Sequence, residues 1–341
     1  MLQPLHLCII GCGRVASSHA EGALQIPETV QLTAIVSRND EKRSAFKEKF
    51  HVKYDFADLD EALSSGTFDA VDICVPNDIH SEYTIRCTAA KKHILLEKPM
   101  ANTVAECIKM NEAAKKNGVK LMVGQSRRYH DAVMRSRKML EDGAIGELLN
   151  ITATLMGYLP APPTEWWRSS KRTGGLMIPL WGNHMIDYIL FMFGETPQRV
   201  YCEALTNSDQ WQGEDEAIIL LGFSKKRFAT VRMSWNTKLT EEKEWRGENK
   251  ILSSKDVLYE RYIQGSNGTI KLDDETRLTL NGVLITDDLQ VPSNFARQYE
   301  EFASAIAEER TPMTDGERGV DLIRIQEAAL ESARTHQVVY L

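Results

Sequence analysis

An apolar run, Leu5–Ile10, ends directly on Gly11-Cys12-Gly13-Arg14-Val15-Ala16, and no other feature narrows the fold as much. A short run of this kind reads as a strand buried on both faces. In the spacing G-x-G-x-x-A, Gly11 allows a tight turn. Gly13 lets the backbone come close to a bulky anion, and Ala16 is small enough for the following helix to pack on the strand. The helix start offers free N–H groups and the positive end of its dipole, so Gly11, Gly13, Arg14 and Val15 are expected to cradle a pyrophosphate. A strand before the motif and a helix after it favour a dinucleotide-binding turn over a plain glycine turn.

The alternation continues. Strands are expected at Gln31–Ser37, Ala70–Val75, Ile94–Leu96 and Val119–Val123. Helices are expected at Val15–Ile26, Asp40–Phe50 and Ile79–Lys91, and another begins at Thr103, where Glu106 completes a capping box, and closes at Gly118. Such alternation implies an α/β Rossmann domain with a doubly wound parallel sheet over residues 1–123. With 341 residues the chain is too long for one ordinary core, so residues 124–341 are assigned to a second domain.

The end of the second strand bears on the choice of dinucleotide. An acidic residue there suits the two ribose hydroxyls of NAD. This chain has Ser37-Arg38, a hydroxyl and a guanidinium that suit a 2′-phosphate better. NADP is therefore the expected cofactor and NAD the alternative, with Asp40 close enough to compete.

Further landmarks follow in order: Pro76-Asn77 with His80, Glu97-Lys98-Pro99, Arg128-Tyr129, Ile145-Gly146-Glu147, Trp167-Arg168, Gly174-Gly175, Gly182-x-His184 with Asp187, and Pro312. Together with the glycine turn they resemble the Gfo/Idh/MocA oxidoreductase family over nearly the whole chain. The resemblance implies an α+β C-terminal domain with a large, mostly antiparallel open sheet, one face of which packs on another subunit, as a homodimer or homotetramer. Strand-like runs fit this at Leu148–Leu155, Val200–Leu205, Ala217–Phe223, Arg227–Trp235, Val257–Gln264 and Thr269–Leu272, with Asn267-Gly268 and Asn281-Gly282 as turns. Gly174–Phe193 would hold the one long buried helix between them. The resemblance also implies that Pro76, Asn77, His80 and Glu97 lie near the cofactor and that Lys98 is the catalytic lysine.

Hydride transfer at a hydroxyl carbon needs a proton acceptor in one direction and a donor in the other. Lys98 follows a parallel strand at its C-terminal end, where the crevice of such a sheet lies, and burial there would lower its pKa. His184 and Asp187 share one face of an otherwise apolar helix, so the carboxylate can orient the imidazole. A core histidine is the plain reading of His184, and the family pattern favours a proton-transfer role. Arg128, Trp167, Arg168, Asn183 and Asp187 complete a substrate pocket suited to a sugar, inositol or related polyhydroxy compound; packing is the rival reading for Trp167. One departure stands out: many members carry D-x-G-x-H-x-x-D, and this chain has Leu180 at the first aspartate. Two alternatives stay open: a cofactor-retaining glycosidase, because the same fold hosts that chemistry, and a non-catalytic nucleotide or sugar sensor, which Leu180 keeps in play.

Other classes find little support. The six cysteines form no C-x-x-C pair and the eight histidines are dispersed, so no metal site is expected. The formal net charge of −7 comes without a basic cluster, which argues against nucleic acid. No signal peptide and no apolar run near the ~20 residues of a membrane span are evident, so a cytoplasmic enzyme is expected.

Overall fold

The computed structural model describes residues 3–238, 257–287 and 291–341. They form two compact units, one of residues 3–129 with 291–320, the other of residues 130–238 and 257–287 with 321–341.

The first unit opens with β1 (Leu5–Ile10), α1 (Arg14–Ala23), β2 (Val30–Val36), α2 (Asp40–Phe50), β3 (Tyr54–Phe56) and α3 (Leu59–Ser64). It continues with β4 (Ala70–Ile73), α4 (His80–Ala89), β5 (His93–Glu97), α5 (Val104–Asn117) and β6 (Leu121–Gly124). The six strands are all parallel, in the order β3-β2-β1-β4-β5-β6. That is the Rossmann order, and its reversal between β1 and β4 opens a crevice at the strand C-termini. The interior strands are apolar because both faces are covered: Leu7, Ile9, Ile35, Ala70 and Leu95 are all inaccessible. The capping box at α5 is present, with Thr103 and Glu106 bonded reciprocally, and Gly118 ends the helix in the left-handed region.

The second unit holds α6 (Asp131–Glu141), β7 (Leu148–Met156), α7 (Ser170–Thr173), α8 (Asn183–Phe193), β8 (Arg199–Leu205), β9 (Glu216–Gly222) and β10 (Phe228–Ser234). Next come β11 (Leu258–Gly265), β12 (Thr269–Asp273), β13 (Arg277–Leu280) and β14 (Val283–Thr286). The chain then forms α9 (Asn294–Ala307), α10 (Gly316–Thr335) and β15 (Val339–Tyr340). The sheet runs β14-β13-β12-β11-β7-β10-β9-β8-β15. Only β7 and β10 pair in parallel; every other neighbour is antiparallel. Asn281 and Gly282 turn β13 into β14 with positive φ at both residues, the hairpin geometry that Asn-Gly favours. Burial alternates along β7, β9, β10 and β11. One sheet face therefore packs on α8 and its neighbours, and Ile218, Leu220, Phe228 and Tyr262 stand exposed on the other.

Several expectations need correction. The boundary after Val123 misses the return of the chain to the first unit: α9 packs on α1 and buries Tyr299 and Phe302 in the same core as Leu7 and Ile35. Burying one such aromatic contributes ~1.5–3 kcal/mol, and nothing local in the sequence says which core receives it. The segments β3, α3, β13, β14 and β15 were not anticipated, because they are short and carry little periodicity. The stretch Gly174–Phe193 does hold a buried helix, but not a regular α-helix throughout. Gly174 stops α7 at φ +71 and a wider π-type turn spans Ile178–Gly182 before α8. Pro179 lies in that turn and has no N–H for a regular helical bond. The stretch Ser170–Phe193 is also long and apolar enough to cross a membrane by length and composition, contrary to the sequence reading, but 94% of its most apolar window is buried within the protein.

Candidate active site

The glycine turn has the form its sequence requires. Gly11 takes φ +111, and a Cβ there would sit 2.5 Å from the carbonyl oxygen of Cys74. Its N–H donates to Val36, and Cys74 donates to Ile10, so the ends of β1, β2 and β4 are tied together around it. Gly13 is different: a Cβ would meet nothing within 4 Å. Its small size is not needed by the fold, which leaves open space at the start of α1. No side chain caps that helix and no acid lies in its first turn. An open cradle at an uncapped helix start with no acid in its first turn fits a dinucleotide pyrophosphate.

At the end of β2, Ser37 is half-buried and Arg38 exposed. Asn39 caps α2 by accepting from the Lys42 N–H at 2.8 Å. Arg43 donates to the Ser37 carbonyl at 2.7 Å and pairs with Asp40 at 2.7 Å and Asp55 at 3.1 Å. The rival carboxylate Asp40 is thus engaged by Arg43, while Arg38 extends from the same loop.

Pro76, Asn77 and His80 follow β4. The buried His80 ring lies between carbonyls, 2.9 Å from Val75 and 3.0 Å from Pro99. Burial pulls its pKa down. Its nitrogens are occupied by the backbone, so His80 holds this loop against the one that follows β5. That second loop carries Glu97 and Lys98. The Lys98 N–H donates to the Glu97 carboxylate at 2.9 Å. Burial pushes the Lys98 ammonium down to about 8; Glu97 opposes the shift, and Arg127 and Arg14 reinforce it. Arg128 is buried and donates to the Met313 carbonyl at 3.3 Å.

In the second unit, Asn183, His184 and Asp187 all lie buried on α8, directly after the π-type turn that contains Leu180. Such turns are frequent at functional sites. Glu214 accepts from the N–H groups of Leu176 and Ile178, each at 2.9 Å. Burial raises its pKa and those N–H groups counter the rise. Sequence reasoning missed this carboxylate, although the run Glu214-Asp215-Glu216 before a strand was a signal. Trp167 is buried and stacks on Trp235, with ring centres 5.7 Å apart and planes 7° apart. The packing reading of Trp167 therefore describes its surroundings. Arg168 is held by Glu165 at 3.0 Å and the Gln210 carbonyl at 2.6 Å.

Sequence reasoning also missed a buried group in the first unit, His19, Asp72 and Cys74. Their ligand-type atoms lie within 4.8 Å of one another. His19 Nδ1 and Asp72 Oδ2 are 2.6 Å apart, a hydrogen bond. Two ligands of one zinc-like ion, each ~2.0–2.2 Å from it in tetrahedral geometry, stand farther apart. Burial also holds Cys74 as a thiol.

Residues 5–125 match the family model described as "Oxidoreductase family, NAD-binding Rossmann fold", and residues 133–271 match the GFO/IDH/MocA C-terminal domain. A myo-inositol 2-dehydrogenase of Thermotoga maritima is 29% identical over 67% of this chain and 67% of its own length. A scyllo-inositol 2-dehydrogenase (NADP(+)) of Bacillus subtilis is 24% identical over 98% of this chain and 95% of its own. Among solved structures, an aldose-aldose oxidoreductase from Caulobacter crescentus complexed with glycerol superposes with a TM-score of 0.86 at 25% identity, covering 99% of this chain and 100% of that one.

The two turn glycines should respond differently to alanine. Gly11→Ala, strained and in collision, should lose ~1–3 kcal/mol of stability. Gly13→Ala should melt like the parent protein but bind dinucleotide about tenfold or more weakly, a loss of ~1.4 kcal/mol or more. Thermal melts and a fluorescence titration distinguish them, and unimpaired binding by Gly13→Ala would sink the phosphate assignment.

Proposed function

The chain belongs to the Gfo/Idh/MocA family of NAD(P)-dependent oxidoreductases, and from that premise we propose that it moves a hydride between a nicotinamide and a hydroxyl-bearing carbon of a sugar, inositol or related polyhydroxy substrate. The observation that carries this reading is Lys98: a half-buried ammonium at the C-terminal end of β5, pushed down to about 8, in the same unit as an open glycine turn.

The dinucleotide, when bound, supplies the hydride acceptor or donor. Gly11, Gly13, Arg14 and Val15 would hold its pyrophosphate at the start of α1, where helix N–H groups and the positive dipole end favour an anion. Arg38 and Ser37 take the 2′-phosphate, which makes NADP the preferred form. The proton work belongs to the protein. In the oxidising direction neutral Lys98 accepts the hydroxyl proton; in the reducing direction its ammonium donates to the carbonyl oxygen. His184, oriented by Asp187, is the second proton-transfer group. Arg128, Trp167, Arg168 and Asn183 remain the candidates for substrate contact, Trp167 through its ring alone. The exposed apolar face with Ile218, Leu220, Phe228 and Tyr262 is covered by a second copy, in a homodimer or homotetramer, because contiguous exposed apolar surface marks an interaction site. The expected compartment is the cytoplasm.

The sign of the pH dependence follows from Lys98. Its pKa is lowered, so the neutral base becomes available near pH 8 instead of near the ordinary lysine value. Oxidation should therefore gain kcat/KM with rising pH and level off above about 8, while reduction should lose it over the same range. Lys98→Met should cut kcat by about 10²–10⁴-fold and still bind dinucleotide. Steady-state assays in both directions against a polyol panel check this; an active Lys98→Met enzyme would remove the lysine from the mechanism.

Cofactor choice has its own test. Arg38→Ala should weaken NADPH binding by about tenfold or more, the loss of a charge-assisted contact of ~1.5–3 kcal/mol, and leave NADH binding unchanged. Equal loss for both dinucleotides would contradict the 2′-phosphate role.

A further inference from the structure

One buried charged group has no part in the reaction as proposed. His19, on α1, is inaccessible to solvent. Its Nδ1 lies 2.6 Å from Asp72 Oδ2, on β4, and its Nε2 lies 3.1 Å from Glu97 Oε1, on β5. Tyr299, on α9, donates its hydroxyl to the same Asp72 oxygen. The Cys74 thiol is 3.5 Å from Asp72 Oδ1. The Phe295 ring covers the imidazole, with centroids 4.7 Å apart.

The protonation state follows from the partners. A carboxylate accepts hydrogen bonds and cannot donate them. A ring with a carboxylate on each nitrogen must donate from both, so it is an imidazolium. Burial favours the neutral ring, but Asp72 and Glu97 outweigh it and push His19 up to about 10. His80 is a useful contrast. It is equally buried, but its partners are uncharged carbonyls, and its pKa moves down. Burial is common to both histidines, and the charge of the partners decides the sign.

Glu97 joins this group to Lys98. One carboxylate oxygen faces His19 and the other accepts the Lys98 N–H. A carboxylate next to a lysine ordinarily keeps the lysine charged, and Glu97 acts in that direction here; burial, with Arg127 and Arg14, brings Lys98 down all the same. We propose that His19 is a positioning residue for Lys98: a fixed imidazolium that grips Glu97 and offsets the negative charge this carboxylate presents to the neighbouring ammonium. The inference rests on reading Lys98 as the proton-transfer group. Among the described residues, the charged groups that bear on Lys98 include Glu97 on β5, Arg14 on α1 and Arg127 in the segment after β6. Those around His19 are Asp72 and Glu97, with Tyr299 and Cys74 neutral, since burial raises the pKa of each.

The test reads Lys98 directly in the dinucleotide-free protein. Lysines are reductively methylated with a ¹³C label, and the Lys98 resonance is identified by its absence in Lys98→Arg. It is then titrated by NMR. His19→Gln removes a cation and should raise the Lys98 midpoint by about half a unit or more. Glu97→Gln removes an anion and should lower it. The double variant removes both, and its midpoint should return to the parent value or fall below it. No movement in His19→Gln, or a double variant that stays as high as His19→Gln, overturns the proposal. If His19→Gln does not fold, the parent protein still decides the matter: the ¹⁵N shifts of His19 should remain those of an imidazolium at pH 8, and a neutral ring there overturns it. Because no dinucleotide or substrate is present, a negative result would not touch the oxidoreductase reading. Equally, an inactive enzyme would not touch this one.

Discussion

The approach of Gly11 to β4 is the constraint on which the first unit turns. Side-chain-free backbone at φ +111 lets the chain leave β1 within van der Waals reach of Cys74. The same geometry fixes where α1 begins. Because β1 is flanked by β2 on one side and β4 on the other, the start of α1 faces the point where the strand order reverses. Glu97 ends the next strand, β5, and Lys98 follows it directly. One tight turn therefore sets the open, uncapped start of α1 and the Lys98 side chain in one frame, without any long loop.

Buried charged groups do much of the remaining work, and three of them are compensated in ways the fold makes plain. Glu214 is buried but receives two N–H donors. Asp215 accepts from Asn207, Ser208, Trp211 and Asn236. His19 is flanked by two carboxylates. Leaving one such charge unpaired would cost several kcal/mol, so these groups specify one arrangement of strand ends. Asp72 illustrates the point: it stands in an interior strand, Ala70–Ile73, whose other residues are apolar, and is tolerated because α1 and α9 both bring it donors.

How much of this was legible in the sequence depended on how local the determinant is. The glycine turn, the Thr103–Glu106 capping box and the apolar strands were readable because each is written in fewer than about ten consecutive residues. The antiparallel sheet was readable strand by strand wherever one face is buried and residues alternate. The short edge strands β3 and β15 were not, since two or three residues carry no period. The return of α9 to the first core was also hidden: its apolar face says that it packs, not on what. His19 and Asp72 are separated by 53 positions. Each alone is an oddity, a histidine on a packed helix face and an aspartate in a buried strand, and only the fold makes them a pair. Leu180 was legible as a departure from the family pattern. The structure adds that it lies in a wider helical turn with buried Glu214 bonded nearby to Leu176 and Ile178.

The proposed chemistry requires a dinucleotide seated at the glycine turn and reaching the loop of Lys98. Amide hydrogen exchange of the purified protein, with and without NADPH, tests this without knowledge of the substrate. Slowed exchange confined to the first turn of α1, the Ser37-Arg38 loop and the segment around Glu97 and Lys98 is the predicted result. Unchanged exchange in all three segments at saturating dinucleotide would contradict it.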